Sequence, residues 1–471
     1  MPRLPHVKVP ATNSDNNQTS GTRPALGALT PMFDTRYKAW LQKGYDGYRA
    51  YVPARLLYHA DYFRVRKLLL ASPDAIAAEA ARRLRHVLGV AVRWVPFYQR
   101  TVRLSAGELA NECPRQLLER FPYLHKAQVM DCQRDFLDRR LDPRKLNYAT
   151  SEGSSGQGIG VWRTKRLADI EKAFYTHKWG RFGFTFDKAR YLRMGSDARR
   201  LPHEPCVSIM GNRLLLSPSH VFARHKGAIV AALNQFRPQF VHAYPSAAAS
   251  LSELVQAGDL DFDIDAVLLA SEPAMPQQLG SIARLFGCPI SISYGLTERT
   301  NLAFATSVEG ACGPFRFEPL YGVTENRWNN GRPEIVGTSC WNDVMPLVRY
   351  CTDDFGVLDQ AGRCRAIHGR AQEFLFDRGG NRIPGLLLIV DGGAWDLVRL
   401  YQVRQRKPGA ITIFVVPKHG ALNAAQKKLL LDYQRKRWGS FFDIDLDEVA
   451  DIPLSASGKR QLVVNELRDV R

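Results

Sequence analysis

The chain lacks the roughly 18 consecutive apolar residues that a membrane-spanning helix requires, so no transmembrane segment is expected. Its N-terminus has no apolar core followed by a small-residue cleavage site, so no secretory signal is expected either. The eight cysteines form no C-x-x-C pair, which argues against a zinc ribbon or a disulfide scaffold. Scattered thiols in so long a chain point to a reduced, cytoplasmic setting. Acidic residues are in deficit: 46 Asp and Glu face 65 Lys and Arg, a formal net charge of +19. No arginine-rich block is interleaved with aromatics, and the basic residues fall in short groups such as Arg82-Arg83 and Arg435-Lys436-Arg437. A nucleic-acid partner is therefore not expected. A basic surface attracting phosphate-bearing ligands, or an anionic membrane face, fits better.

At 471 residues the chain calls for two or three domains. Residues 1–30 are rich in Asn, Ser, Thr, Pro and Gly and read as a disordered leader. Ser72 followed by Pro73 marks a helix start before an Ala/Leu/Arg-rich periodic run. Strands then alternate with helices. Extended segments are expected at Lys145–Ser151, Gln239–Ala243, Ile264–Ala270 and Pro289–Ser293. Helices are expected from Tyr244-Pro245-Ser246 to a close at Gly258, and over Pro276–Phe286 with Gly287 as its stop. This alternation predicts an α/β fold with parallel strands, whose sites lie at the strands' C-terminal ends. The texture changes near residue 370, where a small basic region begins, with a strand over Ile411–Val416 and a helix over Ala424–Trp438.

Short motifs at those strand ends carry the chemistry. Ser151-Glu152-Gly153-Ser154-Ser155-Gly156 follows an expected strand, and small residues let backbone N–H groups reach phosphate oxygens. Tyr294-Gly295-Leu296-Thr297-Glu298 sets an aromatic face beside a hydroxyl and a hard oxygen ligand suited to magnesium. Arg349-Tyr350-Cys351-Thr352-Asp353-Asp354, Gly369-Arg370 and Ser457-Gly458-Lys459 follow in order. Cys312, Cys340, Cys351, Cys364 and His368 read as ordinary thiols and an ordinary histidine rather than a zinc site.

This order of motifs resembles the adenylate-forming superfamily, in its phenylacetate–CoA ligase-like and capsule-biosynthesis CapK-like branch, over roughly residues 90–465. Val95-Pro96-Phe97-Tyr98 and Phe121-Pro122-Tyr123-Leu124-His125-Lys126 add to the likeness. The resemblance implies a large N-terminal adenylate-forming domain of layered β-sheets and helices, with a small mobile α/β C-terminal domain. The leader at 1–30 would precede an ATP- and acid-binding domain at 31–369 and a lid at 370–471, pivoting at Gln372. It implies ATP, Mg2+ and coenzyme A as cofactors. A carboxylic acid, for which the resemblance suggests an aromatic or medium-chain one, would become acyl-AMP and pass to the CoA thiol. An amine or a carrier-protein thiol is the alternative acceptor, a non-catalytic nucleotide-binding relative is a further reading, and a homodimer is left open.

By the same resemblance, Ser151, Gly153, Ser154, Ser155 and Gly156 hold phosphates, and Ser271-Glu272-Pro273 lies on the adenine side. Tyr294 and Gly295 lie against adenine, Thr297 contacts the α-phosphate and Glu298 binds magnesium. Asp354 takes the ribose hydroxyls, with Arg370 reaching ribose or phosphate, and Lys459 is the catalytic lysine. His242, Tyr244 and Pro245 are candidates for the acid pocket, and Phe182, Phe184 and Ala247–Ala249 for its apolar lining. The chain departs from the family at Gln157, where a charged residue is usual, at Glu152 and at Asp353, which stands in place of glycine. If that last position needs positive φ, aspartate tolerates it better than most residues.

Overall fold

The computed structural model describes residues 51–150, 159–198, 200, 203–272, 274, 276–329, 332–367, 374–384, 395, 397–452 and 463–467, which belong to one compact unit, Asp46–Arg471. The helix Pro73–Trp94 starts as expected: Ser72 Oγ accepts from Ala75 N at 3.3 Å and Pro73 occupies the first turn. A capping box of Ser105 and Glu108 starts the helix Ala106–Asn111.

Strands β1 (Asn147–Thr150) and β2 (Gly160–Arg163) form an antiparallel hairpin. Next come β3 (Tyr191–Met194), β4 (Val207–Met210), β5 (Arg213–Leu216), β6 (Phe240–Ala243), β7 (Ala266–Leu269), β8 (Ile290–Gly295), β9 (Leu302–Val308), β10 (Ala311–Cys312) and β11 (Phe315–Phe317). A three-stranded sheet follows, β12 (Gly322–Asn329), β13 (Arg332–Ser339) and β14 (Tyr350–Phe355), and then β15 (Arg363–Cys364). The ten-stranded sheet runs β15-β11-β9-β8-β7-β6-β3-β5-β4, with β10 on β9. Its centre, β5-β3-β6-β7-β8, is parallel.

Alternate residues of those central strands enter different cores. Tyr191, Phe240, Ala266 and Leu268 join one cluster, and Leu192, Val241, Val267 and Leu269 join another. Both sheet faces are covered, which is why β7 reads as an unbroken apolar run. The helix Pro276–Phe286 and Gly287 at φ +57° are as expected. The helix after Tyr244 spans only Pro245–Leu254 and does not reach Gly258. Val255 is already extended, and Gln256 and Asp259 then build a separate 3-10 turn around Gly258, whose local hydrogen bonds compete with helix continuation.

Towards the C-terminus, β16 (Phe374–Phe376) and β17 (Arg382–Pro384) form a hairpin. β18 (Val398–Lys407), β19 (Ala410–Pro417), β20 (Asp443–Glu448) and β21 (Val463–Asn465) form a sheet in the order β20-β19-β18-β21. The helix Ala424–Trp438, capped by Asn423 and Gln426, adds Leu430 and Trp438 to a separate core with Ile411, Ile413 and Val415.

One long-range closure positions the site. The Tyr98 hydroxyl donates to Pro346 O at 3.2 Å and accepts from Val348 N at 2.9 Å. Leu124 bridges to Tyr350 in parallel, with Leu124 N donating to Arg349 O and Cys351 N to Leu124 O, both at 2.9 Å. The N-terminal helical region therefore grips the start of β14. Among the described residues, no helix is long and apolar enough to cross a membrane.

Candidate active site

The C-terminal ends of β6, β7 and β8 lie side by side, and the sequence motifs sit on them. After β7, Ser271 takes φ +73° and turns the chain. Glu272, 7% exposed, accepts Ser246 N at 3.1 Å through Oε2. Ser246 lies in the first turn of the helix Pro245–Leu254, so the carboxylate sits at a helix N-terminus, where it is electrostatically favoured. Glu272 thus ties the β7 end to the Tyr244-Pro245 turn. Tyr244 Oη accepts Ser196 N at 3.0 Å, joining the β3 end to the same turn.

At the end of β8, the Tyr294 hydroxyl donates to Asp354 Oδ2 at 2.9 Å. Burial first, and the Asp354 carboxylate second, push the Tyr294 phenol well above its ordinary value, so it remains a donor. The two residues read as adenine face and ribose acceptor therefore meet directly. Thr297 O accepts from the Arg163 guanidinium at 3.4 Å. Glu298 is buried, and its Oε1 accepts the Tyr350 hydroxyl at 2.8 Å. Tyr350 opens β14, the strand that carries Asp354, so β14 contacts both halves of the Tyr294–Glu298 motif.

Asp354 is displayed by a bulge. Cys351 pairs with Val336 and Phe355 with Glu334, so four steps along β14 oppose two along β13. Asp353 adopts φ +60° inside this bulge, a left-handed conformation that aspartate tolerates better than most residues. Side chains satisfy the displaced backbone. Glu334 Oε1 accepts Asp353 N at 3.1 Å, and Thr352 Oγ1 donates to Ile335 O at 2.7 Å and accepts Asp354 N at 3.1 Å. Bulges beside functional sites re-aim side chains in this way.

A hard divalent cation fits Glu298. Its second carboxylate oxygen has no protein donor among the described residues, and magnesium commonly takes one or two carboxylates together with substrate phosphates. No group of three or more His, Cys, Asp or Glu side chains able to hold a metal is found among the described residues. Cys340, Cys351 and Cys364 are buried, and burial pushes the Cys351 thiol up to about 11. His242, one residue before the end of β6, lies beside the rings of Trp179, Phe186 and Tyr191. Phe184 and Ala247–Ala249 are core residues. Ser151, Gly153, Ser154, Ser155, Gly156, Glu152, Gln157, Pro273, His368, Arg370, Gln372 and Lys459 lie outside the described residues.

Sequence reasoning missed Tyr350 as a partner of Glu298 and Glu334 as the brace of Asp353. Tyr350 stood inside a quoted motif. Glu334 had no local signal.

The Tyr294–Asp354 bond supports a mild test. Tyr294→Phe keeps the ring and removes the donor. It is expected to lower stability by about 1 kcal/mol while nucleotide affinity changes less than about threefold. Thermal unfolding and calorimetry measure the two; a tenfold loss of affinity would show that the phenol itself contacts the ligand.

Residues 384–466 match the family model of the CapK C-terminal domain, which bears out the CapK-like resemblance in that region. No curated protein matches the chain. Among solved structures, the chain is similar to 2-hydroxyisobutyryl-CoA ligase in complex with 2-HIB-AMP and CoA in the thioesterification state. That match has 14% identity and a TM-score of 0.49, covering 85% of this chain and 92% of that one. It is also similar to the amide bond synthetase McbA from Marinactinospora thermotolerans, at 17% identity, TM-score 0.37, and 68% and 69% coverage. A third similar structure is the anthranilate CoA ligase AuaEII in complex with anthranoyl-AMP, at 14% identity, TM-score 0.29, and 67% and 65% coverage.

Proposed function

We propose that this chain, whose C-terminal region is of the CapK type, activates a carboxylic acid with ATP and passes the acyl group to the thiol of CoA. The observation that carries the reading is the meeting of Tyr294 with Asp354, with Thr297 and Glu298 on the same turn and Tyr350 of β14 bonded to Glu298. A nucleotide would set its ribose hydroxyls on Asp354, which can accept both protons, and its α-phosphate at Thr297. The loop at Ser151, Gly153, Ser154, Ser155 and Gly156, with Ser271, Glu272, Pro273 and Arg370, would complete the nucleotide site. Magnesium at Glu298 would supply charge neutralisation on the phosphates.

In the first step a carboxylate oxygen of the acid bonds to the α-phosphorus and the bond to pyrophosphate breaks. Lys459 would stabilise the charge that develops there. In the second, the small domain at 370–471 would pivot near Gln372; the CoA sulfur then bonds to the acyl carbon and AMP leaves. Catalysis of this kind is mainly positioning and electrostatics.

Pyrophosphate exchange across a panel of carboxylic acids, with and without CoA, tests the reading. Acid-dependent exchange and a CoA-dependent burst of thioester are expected. Exchange without thioester would move the acceptor to an amine or a carrier-protein thiol. Nucleotide binding without any exchange would leave a non-catalytic binding protein.

The phosphate loop offers a second check. Gln157 carries no charge where relatives commonly have one, so ATP affinity is expected to be weak. Gln157→Lys should tighten ATP binding or leave it unchanged, as read by calorimetry. A clear loss would assign Gln157 a specific contact of its own.

A further inference from the structure

A polar cluster lies under the same sheet face, beside the Tyr294-Gly295 turn, and the nucleotide reading does not use it. Arg193 near the end of β3 and His242 in β6 are paired neighbours across parallel strands. Tyr175 approaches from the helix Lys165–Trp179, its hydroxyl donating to Ser293 Oγ at 3.4 Å. Trp179 bridges the group, with ring centroids 5.0 Å from His242 and 4.6 Å from Tyr175. A side chain on Gly295 would begin 3.7 Å from the Tyr175 hydroxyl, so the cluster reaches the turn through that bare glycine.

His242 Nδ1 is shut off from solvent and has no hydrogen-bond partner among the described residues. Burial, then Arg193 and Arg213, hold the imidazole well below its ordinary value, so it is neutral. Arg193 Nε donates to Asp197 Oδ1 at 2.8 Å and its Nη1 to His242 O at 3.4 Å, leaving Nη2 with no protein acceptor among the described residues. The Arg193 side chain is 16% exposed, whereas Asp197 is 45% exposed and also within 3.7 Å of Arg213, so it screens Arg193 only in part. A buried ring nitrogen without a partner is costly beside an apolar ligand, and a cation with one nitrogen free of protein acceptors is favourable beside an anion.

We propose that the acid taken by this site carries a second anionic group, remote from the carboxylate that is activated, and that Arg193 and His242 read it with Tyr175 alongside. This rests on the adenylation reading above and names its substrate class: dicarboxylic and similarly doubly charged acids rather than purely apolar ones. Arg193 determines specificity and takes no part in the bond-making steps.

Pyrophosphate exchange with the full-length chain and paired acids tests it: adipate against hexanoate, and terephthalate against 4-methylbenzoate. In at least one pair the diacid should show a kcat/KM about tenfold or more above its partner. Arg193→Gln should collapse that ratio through the KM of the acid, with the KM for ATP as the internal reference. Gly195→Ala is the gentler variant, because its added Cβ would meet Arg193 Nη2 and displace the guanidinium without touching the core; it should shrink the ratio in the same direction. Monoacids equal or superior in both pairs would overturn the inference and leave adenylation standing. A ratio untouched in both folded variants would also overturn it. No exchange with any acid would overturn adenylation, and this inference with it.

Discussion

Lys459→Ala is expected to cut acyl-AMP formation by roughly two or more orders of magnitude, the scale of about 3 kcal/mol of lost transition-state stabilisation. Given ready-made acyl-AMP and CoA, the same variant should still form thioester, because in that step the small domain would have rotated the lysine away. Two parallel assays on one purified variant decide this, one starting from ATP and acid and the other from the adenylate. Equal loss in both would argue against domain alternation. No loss in either would reduce Lys459 to a surface lysine and place the charge stabilisation on other groups.

Asp354→Ala carries the second large effect. Two ribose hydroxyls lose their acceptor, at about 1–3 kcal/mol of nucleotide affinity, or roughly 5–150-fold in Kd. The variant also removes the carboxylate to which the Tyr294 hydroxyl donates at 2.9 Å, leaving it only Thr352. Pairing it with Tyr294→Phe separates the contributions: the double variant should regain stability without regaining affinity. Calorimetry with a non-hydrolysable acyl-AMP mimic and thermal unfolding provide the readings. Unchanged affinity in folded Asp354→Ala would remove it from the site.

The parts of the site legible in the sequence are those whose cause is local. A helix start at Ser72-Pro73, a stop at Gly287 and turns at strand ends each follow from the residues that form them. At Asp353 the sequence raised a positive φ only as a condition, and the bulge in β14 meets it at φ +60°. The pairings were not legible. Nothing near Glu298 announces Tyr350, since that contact depends on how β14 packs against the turn after β8, and nothing near Asp353 announces Glu334, since that one depends on the register of β13 against β14. Gly258 misled for the opposite reason: a nearby Gln256–Asp259 turn won its backbone before the helix could reach it. Phe184 and Ala247–Ala249 fill cores on either face of the sheet, a placement that depends on long-range packing.

The hydroxyl of Tyr98 closes onto Val348 across 250 positions of chain. A ribosome adding about 5–20 residues per second needs roughly 10–50 s to supply that partner. During this interval the nascent helical region has made its own secondary structure but lacks the strand that completes it. Its buried face, with Tyr98, Phe121 and Leu124 at the seam, is then available to chaperones or to neighbouring nascent chains. Expression yield should therefore respond to elongation rate and chaperone supply more sharply than the equilibrium stability of the finished protein would suggest.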